Sequence, residues 1–188
     1  MNTFPFTLDK VQNYVSSLNF LSKEECNQII KISEKQNLEK AKVMAEKDLS
    51  RESYITWVYS NKETYWLFER ISNAVLTANK EFFNFNLYGI IEGLQFTNYK
   101  APSGKYGKHI DRVLNNIIRK LSISIQLTDP SEYEGGELNL YLNDNPITMD
   151  KQQGTIIIFP SFILHEVMPV TKGERNSLVT WVTGEPFK

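Results

Sequence analysis

The sequence predicts a mainly β, α+β fold: a β-sandwich or jelly roll braced by N-terminal helices. Three observations predict it. The second half of the 188-residue chain carries several short segments of period-two hydrophobicity. Turn-forming clusters separate those segments. The first half shows helical spacing instead, and strands preceded by helices, rather than alternating with them, form layered sheets with helices to one side.

Taken in order, Ser22-Lys23-Glu24-Glu25 reads as a capping box that starts a helix. Cys26, Ile29 and Ile30 supply its apolar face, which runs out near Asn37. Cys26 is expected to be a small core residue rather than a nucleophile. Residues 38–53 are rich in Lys and Glu and read as a solvated helix extension or a mobile loop. A second helix is better marked, by Leu67, Ile71, Ala74, Val75, Ala78 and Phe82, and should lie across a sheet. From about residue 90 the period becomes two. Ile90–Tyr99 alternates, as does Leu121–Thr128, where Ile123, Ile125 and Leu127 oppose Ser122, Ser124 and Gln126. Glu137–Leu142, Thr155–Phe159 and Ser177–Thr183 complete the clear strands. Pro102-Ser103-Gly104, Gly135-Gly136, Asn143-Asp144-Asn145-Pro146 and Lys172-Gly173 punctuate them. With no repeat or linker, the expectation is one domain over 1–188, with helical support to about residue 85 and a sheet core from about residue 86.

Composition narrows the function classes. Lys+Arg (21) and Asp+Glu (22) nearly cancel, so no positive field gathers phosphates, and a nucleic-acid partner is not expected. The apolar runs, such as 156–159, are too short to span a bilayer, so no membrane partner is expected. The first residues lack a cationic region followed by an apolar stretch, which argues against a signal peptide and for a cytoplasmic protein. One cysteine excludes a disulfide framework and a Cys-rich zinc site.

Only two histidines are present, His109 and His165, so His-based chemistry has few places to be. His109-Ile110-Asp111 puts an imidazole and a carboxylate on one side of an extended strand. His165 follows the buried-looking strand Thr155–Phe159. Two His and one carboxylate hold one face of an octahedral metal and leave three positions open, as in non-haem Fe(II) oxygenases. By itself the set also suits a catalytic zinc, or two ordinary histidines. Arg175 comes ten residues after His165 and shares a strand face with Ser177, Val179 and Trp181. A guanidinium beside a hydroxyl suits a carboxylate, and the polar stripe Ser122, Ser124 and Gln126 is placed to face it. Glu166 points away from His165 by strand parity, and Asp129–Glu137 lacks the glycine position of a calcium loop. Trp57, Tyr59, Tyr65 and Trp66 read first as packing and second as part of a substrate groove.

With these residues in hand, the chain resembles the Fe(II)- and 2-oxoglutarate-dependent dioxygenases, in their prolyl-4-hydroxylase-like branch. The resemblance runs from about Ile90 to Trp181. It rests on Gln95-Phe96-Thr97-Asn98-Tyr99, Tyr106, His109-Ile110-Asp111, Leu121-Ser122 through Leu127, and Tyr133-Glu134-Gly135-Gly136-Glu137-Leu138. Its last block is Gly154-Thr155 to Phe159-Pro160, His165-Glu166-Val167, Pro169-Val170, Gly173, Arg175 and Trp181. The resemblance implies a double-stranded β-helix, the cupin-like jelly roll, with His109, Asp111 and His165 binding Fe(II). It implies that Arg175 pairs with the distal carboxylate of 2-oxoglutarate, that Tyr99 lines the cosubstrate pocket, and that Tyr106 and Trp181 stand near substrate and cosubstrate. O2 is the other cosubstrate so implied. Gln126 stands where some prolyl hydroxylases have a tyrosine that touches the cosubstrate, and is expected to donate a hydrogen bond there instead. Arg175 differs from the lysine of collagen-type and plant-type members, which places the chain nearer the bacterial and oxygen-sensing ones. The function implied is hydroxylation of a prolyl residue in a peptide or protein, with release of succinate and CO2. A free amino acid or other small molecule is the alternative substrate, and a non-catalytic jelly-roll binding or sensor module the alternative of another class. Residues 38–60 are the candidate substrate lid or groove.

Overall fold

The computed structural model describes residues 12–41, 50–111, 113–114 and 117–186. The capping box forms as read. Ser22 Oγ accepts from the Glu25 amide at 3.2 Å and Glu25 Oε2 accepts from the Ser22 amide at 2.9 Å, at the start of the helix Lys23–Glu34. Satisfying these two amides contributes about 1 kcal/mol. The helix buries Cys26 and Ile29, and burial pushes the Cys26 thiol up to about 11, the behaviour of a core residue. The second helix, Tyr65–Ala78, buries Leu67, Ile71, Val75 and Ala78. A π-helical turn, Asn79–Phe83, extends it and stops at Asn84, whose φ is 51°.

Two antiparallel sheets carry the rest. The larger runs, in spatial order, Val15–Ser17, Ile156–Pro160, Ile117–Gln126, Val170–Gly184, Leu94–Lys100, Tyr54–Val58 and Glu39–Lys40. The smaller runs Pro146–Thr148, Leu138–Tyr141, Leu164–Val167, Lys105–His109 and Arg51–Glu52. The two faces of the larger sheet bury different things. On one face Leu121, Ile123, Ile125, Ile156 and Ile158 pack with Leu67, Ile71 and Ile29 of the helices. On the other, Ile157 and Phe159 pack with Leu138, Leu140 and Val167 of the smaller sheet. Each such fully buried aliphatic side chain contributes about 1.5–3 kcal/mol, so both layers are driven by apolar burial. The predicted jelly roll with bracing helices is therefore what forms. No helix among the described residues is long and apolar enough to cross a membrane.

Two sequence expectations are corrected. Residues 38–53 do not extend the first helix: Glu39–Lys40 and Arg51–Glu52 are strands that add an edge to each sheet, while 42–49 lie outside the described residues. Backbone pairing to Tyr54–Val58 and Lys105–His109 outweighs the lack of apolar residues. The last strand is also much longer than its alternating stretch, running Val170–Gly184 and pairing with the short strand Tyr133–Gly135 at its start.

Candidate active site

His109 closes the strand Lys105–His109 and pairs in register with His165 in Leu164–Val167, so both imidazoles project from adjacent strands of the smaller sheet. Their centroids are 4.1 Å apart. The Nδ1 atoms face the backbone oxygens of Gly107 at 2.7 Å and Ile163 at 2.9 Å. A carbonyl can only accept, so each Nδ1 carries the proton and each Nε2 keeps its lone pair for a metal. Asp111 is held just beyond the strand end by its amide, which donates to the Ser161 carbonyl at 2.9 Å. Its Oδ2 accepts from Ser122 Oγ at 2.9 Å and lies 3.4 Å from His165 Nε2, while Oδ1 lies 3.7 Å from His109 Nε2. All three ligand atoms fall within 4.8 Å of one another.

Electrostatics suits a cation at this point. Burial, reinforced by the neighbouring His165, lowers the His109 pKa to about 4, so His109 is neutral at physiological pH. Burial alone would raise the Asp111 carboxyl, but the hydrogen bond and charge of His165, with His109, hold it well below the usual carboxylate range. Asp111 in turn raises the pKa of His165 against the lowering effect of burial. The anionic carboxylate between two imidazoles is the donor set of a divalent first-row metal.

A cavity of about 440 Å³ opens from this triad between the sheets, within the range of small-molecule sites. Arg175, Ser177, Val179 and Trp181 all line it, as strand parity predicts, and Ser122 and Ser124 line it from the adjacent strand of the same sheet, beside them rather than facing them. Tyr99 and Tyr106 line it too. Arg175 is 1% exposed, and its only hydrogen-bond acceptor among the described residues is Gln126 Oε1 at 2.9 Å; Nε and Nη1 have none. The guanidinium lies over the Tyr99 ring, 5.3 Å from its centroid. A buried cation left with unpaired donors is costly, so the pocket is built for an anion that completes it. A ligand that binds the metal at one end and carries a carboxylate at the other would satisfy both.

Gln126 stands beside Arg175. Its side-chain oxygen receives Arg175 and the residue does not line the cavity. Gln126 thus holds the arginine through its side-chain oxygen.

Tyr133, beside Arg175, and Arg119, in the cavity wall, were given no role by the sequence. Tyr133 is buried with an unpaired hydroxyl beside Arg175, whose charge works against the rise in its pKa that burial causes. The glycine pair after it makes room: a Cβ on Gly136 (φ 66°) would lie 2.9 Å from Arg175 Cδ. Arg119 shares parity with Leu121 and Ile123, which face the helices, yet it lines the cavity. The register shift between Val182 and Thr183 pairs Thr183 with Arg119 but Val182 with Leu121. That bulge adds one residue, Lys120, and turns Arg119 to the other face. There its guanidinium carbon sits 3.7 Å from the Trp181 ring centroid and its Nε donates to Glu92 at 2.8 Å. Trp57 also lines the cavity and tilts against Trp181 at 6.3 Å, whereas Tyr59 and Tyr65 are exposed, so the aromatic cluster divides. Glu166 points outward to the Tyr141 hydroxyl, as read, and Asp129 caps the turn Pro130–Glu132 through Ser131.

Comparison with known proteins agrees with this geometry. Residues 94–183 match the model of the 2OG-Fe(II) oxygenase superfamily. A PKHD-type hydroxylase of Sphingopyxis alaskensis is 33% identical over 123 residues, which is 61% of this chain and 56% of that protein. The chain thus spans little more than half the length of this curated relative. A prolyl-4-hydroxylase from Pseudomonas putida has the same fold, with a TM-score of 0.75, 20% identity and coverage of 93% of this chain and 94% of that one. So does a prolyl hydroxylase from Trichoplax adhaerens, solved in complex with a hypoxia inducible factor oxygen degradation domain peptide fragment, with a TM-score of 0.77, 18% identity and coverage of 92% and 84%. The motif order, the triad in a jelly roll and these likenesses agree, and residues 94–183, which carry the triad and Arg175, match the 2OG-Fe(II) oxygenase superfamily.

Proposed function

We propose that this protein is an Fe(II)- and 2-oxoglutarate-dependent dioxygenase that hydroxylates a prolyl residue in a peptide or protein. The observation that carries the reading is the sharing of one cavity by the His109, Asp111 and His165 donor set and a buried arginine with two unpaired N–H groups. In this reading His109 Nε2, His165 Nε2 and an Asp111 oxygen hold Fe(II). Arg175, kept in place by Gln126 and Tyr99, grips the distal carboxylate of 2-oxoglutarate, and the Tyr133 hydroxyl beside it offers one more donor. Ser122 fixes one Asp111 oxygen so that the carboxylate does not rotate. Fe(II) with 2-oxoglutarate and O2, when bound, supplies an oxidant for a C–H bond and leaves succinate and CO2. The chain's residues fix the ligands, exclude water from the sheet interior and present the substrate carbon.

The prolyl assignment is supported by the outer half of the cavity. Trp181, Trp57 and Tyr106 give it aromatic walls, which suit an apolar five-membered ring. The peptide complex of the Trichoplax neighbour supports a peptide substrate by analogy of fold. The described residues act, in this reading, as one catalytic unit of a cytoplasmic protein, with neither nucleic acid nor membrane as partner.

The test is incubation with Fe(II), 2-oxoglutarate and a pool of proline-containing peptides, followed by mass spectrometry and succinate assay. The expected result is a gain of one oxygen on proline with succinate in equal amount. Oxidation of a free amino acid but of no peptide would move the substrate to the small-molecule class. Absence of succinate with every substrate would leave the binding-module alternative.

A further inference from the structure

Arg51 differs from the other cations of the cavity in what it touches. Arg119 is paired with Glu92, Lys40 with Glu52 at 3.1 Å, and Arg175 lies buried at the cosubstrate end. Arg51 lines the same cavity, half-buried, on the strand Arg51–Glu52. Its Nε donates to Ser53 Oγ at 2.9 Å and its Nη2 to Gln95 Oε1 at 3.0 Å. Its guanidinium lies over Tyr106, 4.5 Å from the ring centroid, and Tyr106 stacks at 3.5 Å on His109. All these partners are uncharged, and no ion pair among the described residues includes Arg51.

The physical consequence follows from that combination. Two neutral hydrogen bonds and a ring face hold the guanidinium in one orientation without cancelling its charge. With Nε and Nη2 engaged, Nη1 is the nitrogen that, among the described residues, is left for a ligand. A half-buried, pre-oriented cation one aromatic ring away from the triad favours an anion, and a planar fork favours a carboxylate.

Resting on the oxygenase reading of this cavity, the geometry points to Arg51 as a specificity-determining residue that receives a carboxylate of the substrate. The protein then prefers substrates that carry a carboxylate on or beside the oxidised residue over neutral isosteres. A free α-carboxylate and an acidic neighbouring side chain offer the same chemistry.

Matched probes test this with the Fe(II)-loaded protein. The pairs are peptides ending in proline as free acid or amide, peptides with Glu or Gln beside proline, and L-proline or L-prolinamide. The readout is kcat/KM for substrate-dependent succinate release. At least one pair should show a tenfold or greater preference for the carboxylate member, and the pair that does identifies its source. Arg51→Gln should reduce that ratio to under twofold and Arg51→Lys should keep part of it; a ratio is insensitive to the fraction of variant that folds. No carboxylate preference in any pair, or turnover of no probe, while 2-oxoglutarate still binds, would overturn the proposal, as would a preference that survives Arg51→Gln. Failure of 2-oxoglutarate to bind at all would instead count against the oxygenase reading itself.

Discussion

Asp111→Ala is expected to weaken Fe(II) binding and to lower 2-oxoglutarate turnover by well over a hundredfold. The carboxylate supplies the one anionic donor of the triad and sits between the two imidazoles, 3.4 Å and 3.7 Å from their Nε2 atoms. Loss of an outer partner of a metal ligand typically costs about 10–100-fold, and loss of the ligand costs more. The variant should still fold, since Ser122 Oγ keeps Ser161 Oγ at 3.0 Å and a buried charge has been removed. Metal titration followed by succinate assay checks both parts. An Asp111→Ala protein with unchanged iron affinity would contradict the assignment of the triad.

Arg175→Ala should leave the metal ligands intact and weaken 2-oxoglutarate binding by about 10²–10³-fold. That range corresponds to about 3–4 kcal/mol, typical of removing one partner from a buried ion pair. The reason lies in the free protein: among the described residues Nε and Nη1 have no acceptor, so much of the arginine's hydrogen-bonding capacity waits for the ligand. Arg175→Lys should recover part of the affinity, because a lysine keeps the charge but loses the planar fork. Tryptophan fluorescence during titration with 2-oxoglutarate, in the presence of Mn(II), reads the affinity without turnover. An affinity unchanged in Arg175→Ala would remove the arginine from the cosubstrate site.

What the sequence made legible, and what it did not, follows physical lines. Period-two hydrophobicity marked Leu94–Lys100 and Ile117–Gln126 because these strands bury apolar side chains on a fixed face, and Ile156–Pro160 showed as a continuous apolar run because both of its faces are buried. The same parity put Arg175, Ser177 and Trp181 together on one wall. Parity failed at Arg119, where one extra residue in the strand reverses the facing and leaves no mark in the composition. Arg51 lay within 38–60, the candidate substrate lid or groove, but was not singled out, for a different reason. Edge strands held by backbone pairing need no apolar pattern, so a Lys/Glu-rich stretch read as solvated although it contributes a wall of the cavity. Gln126 was on the correct strand face, but which partner its amide takes depends on the depth of Arg175, a tertiary fact. Tyr133 carried a signal in the Gly135-Gly136 pair that follows it. Both glycines have positive φ, and the second packs against Arg175 where a side chain would collide.

The most direct test of the account is an anaerobic titration of the Fe(II)-loaded protein with 2-oxoglutarate, recorded by visible absorption. If the triad and Arg175 form one cosubstrate site, a weak charge-transfer band of the bidentate complex should grow and saturate at one equivalent per chain, and His165→Ala should abolish it. A flat spectrum from protein with verified iron content would contradict the account, leaving the jelly roll in place and its metal chemistry unassigned.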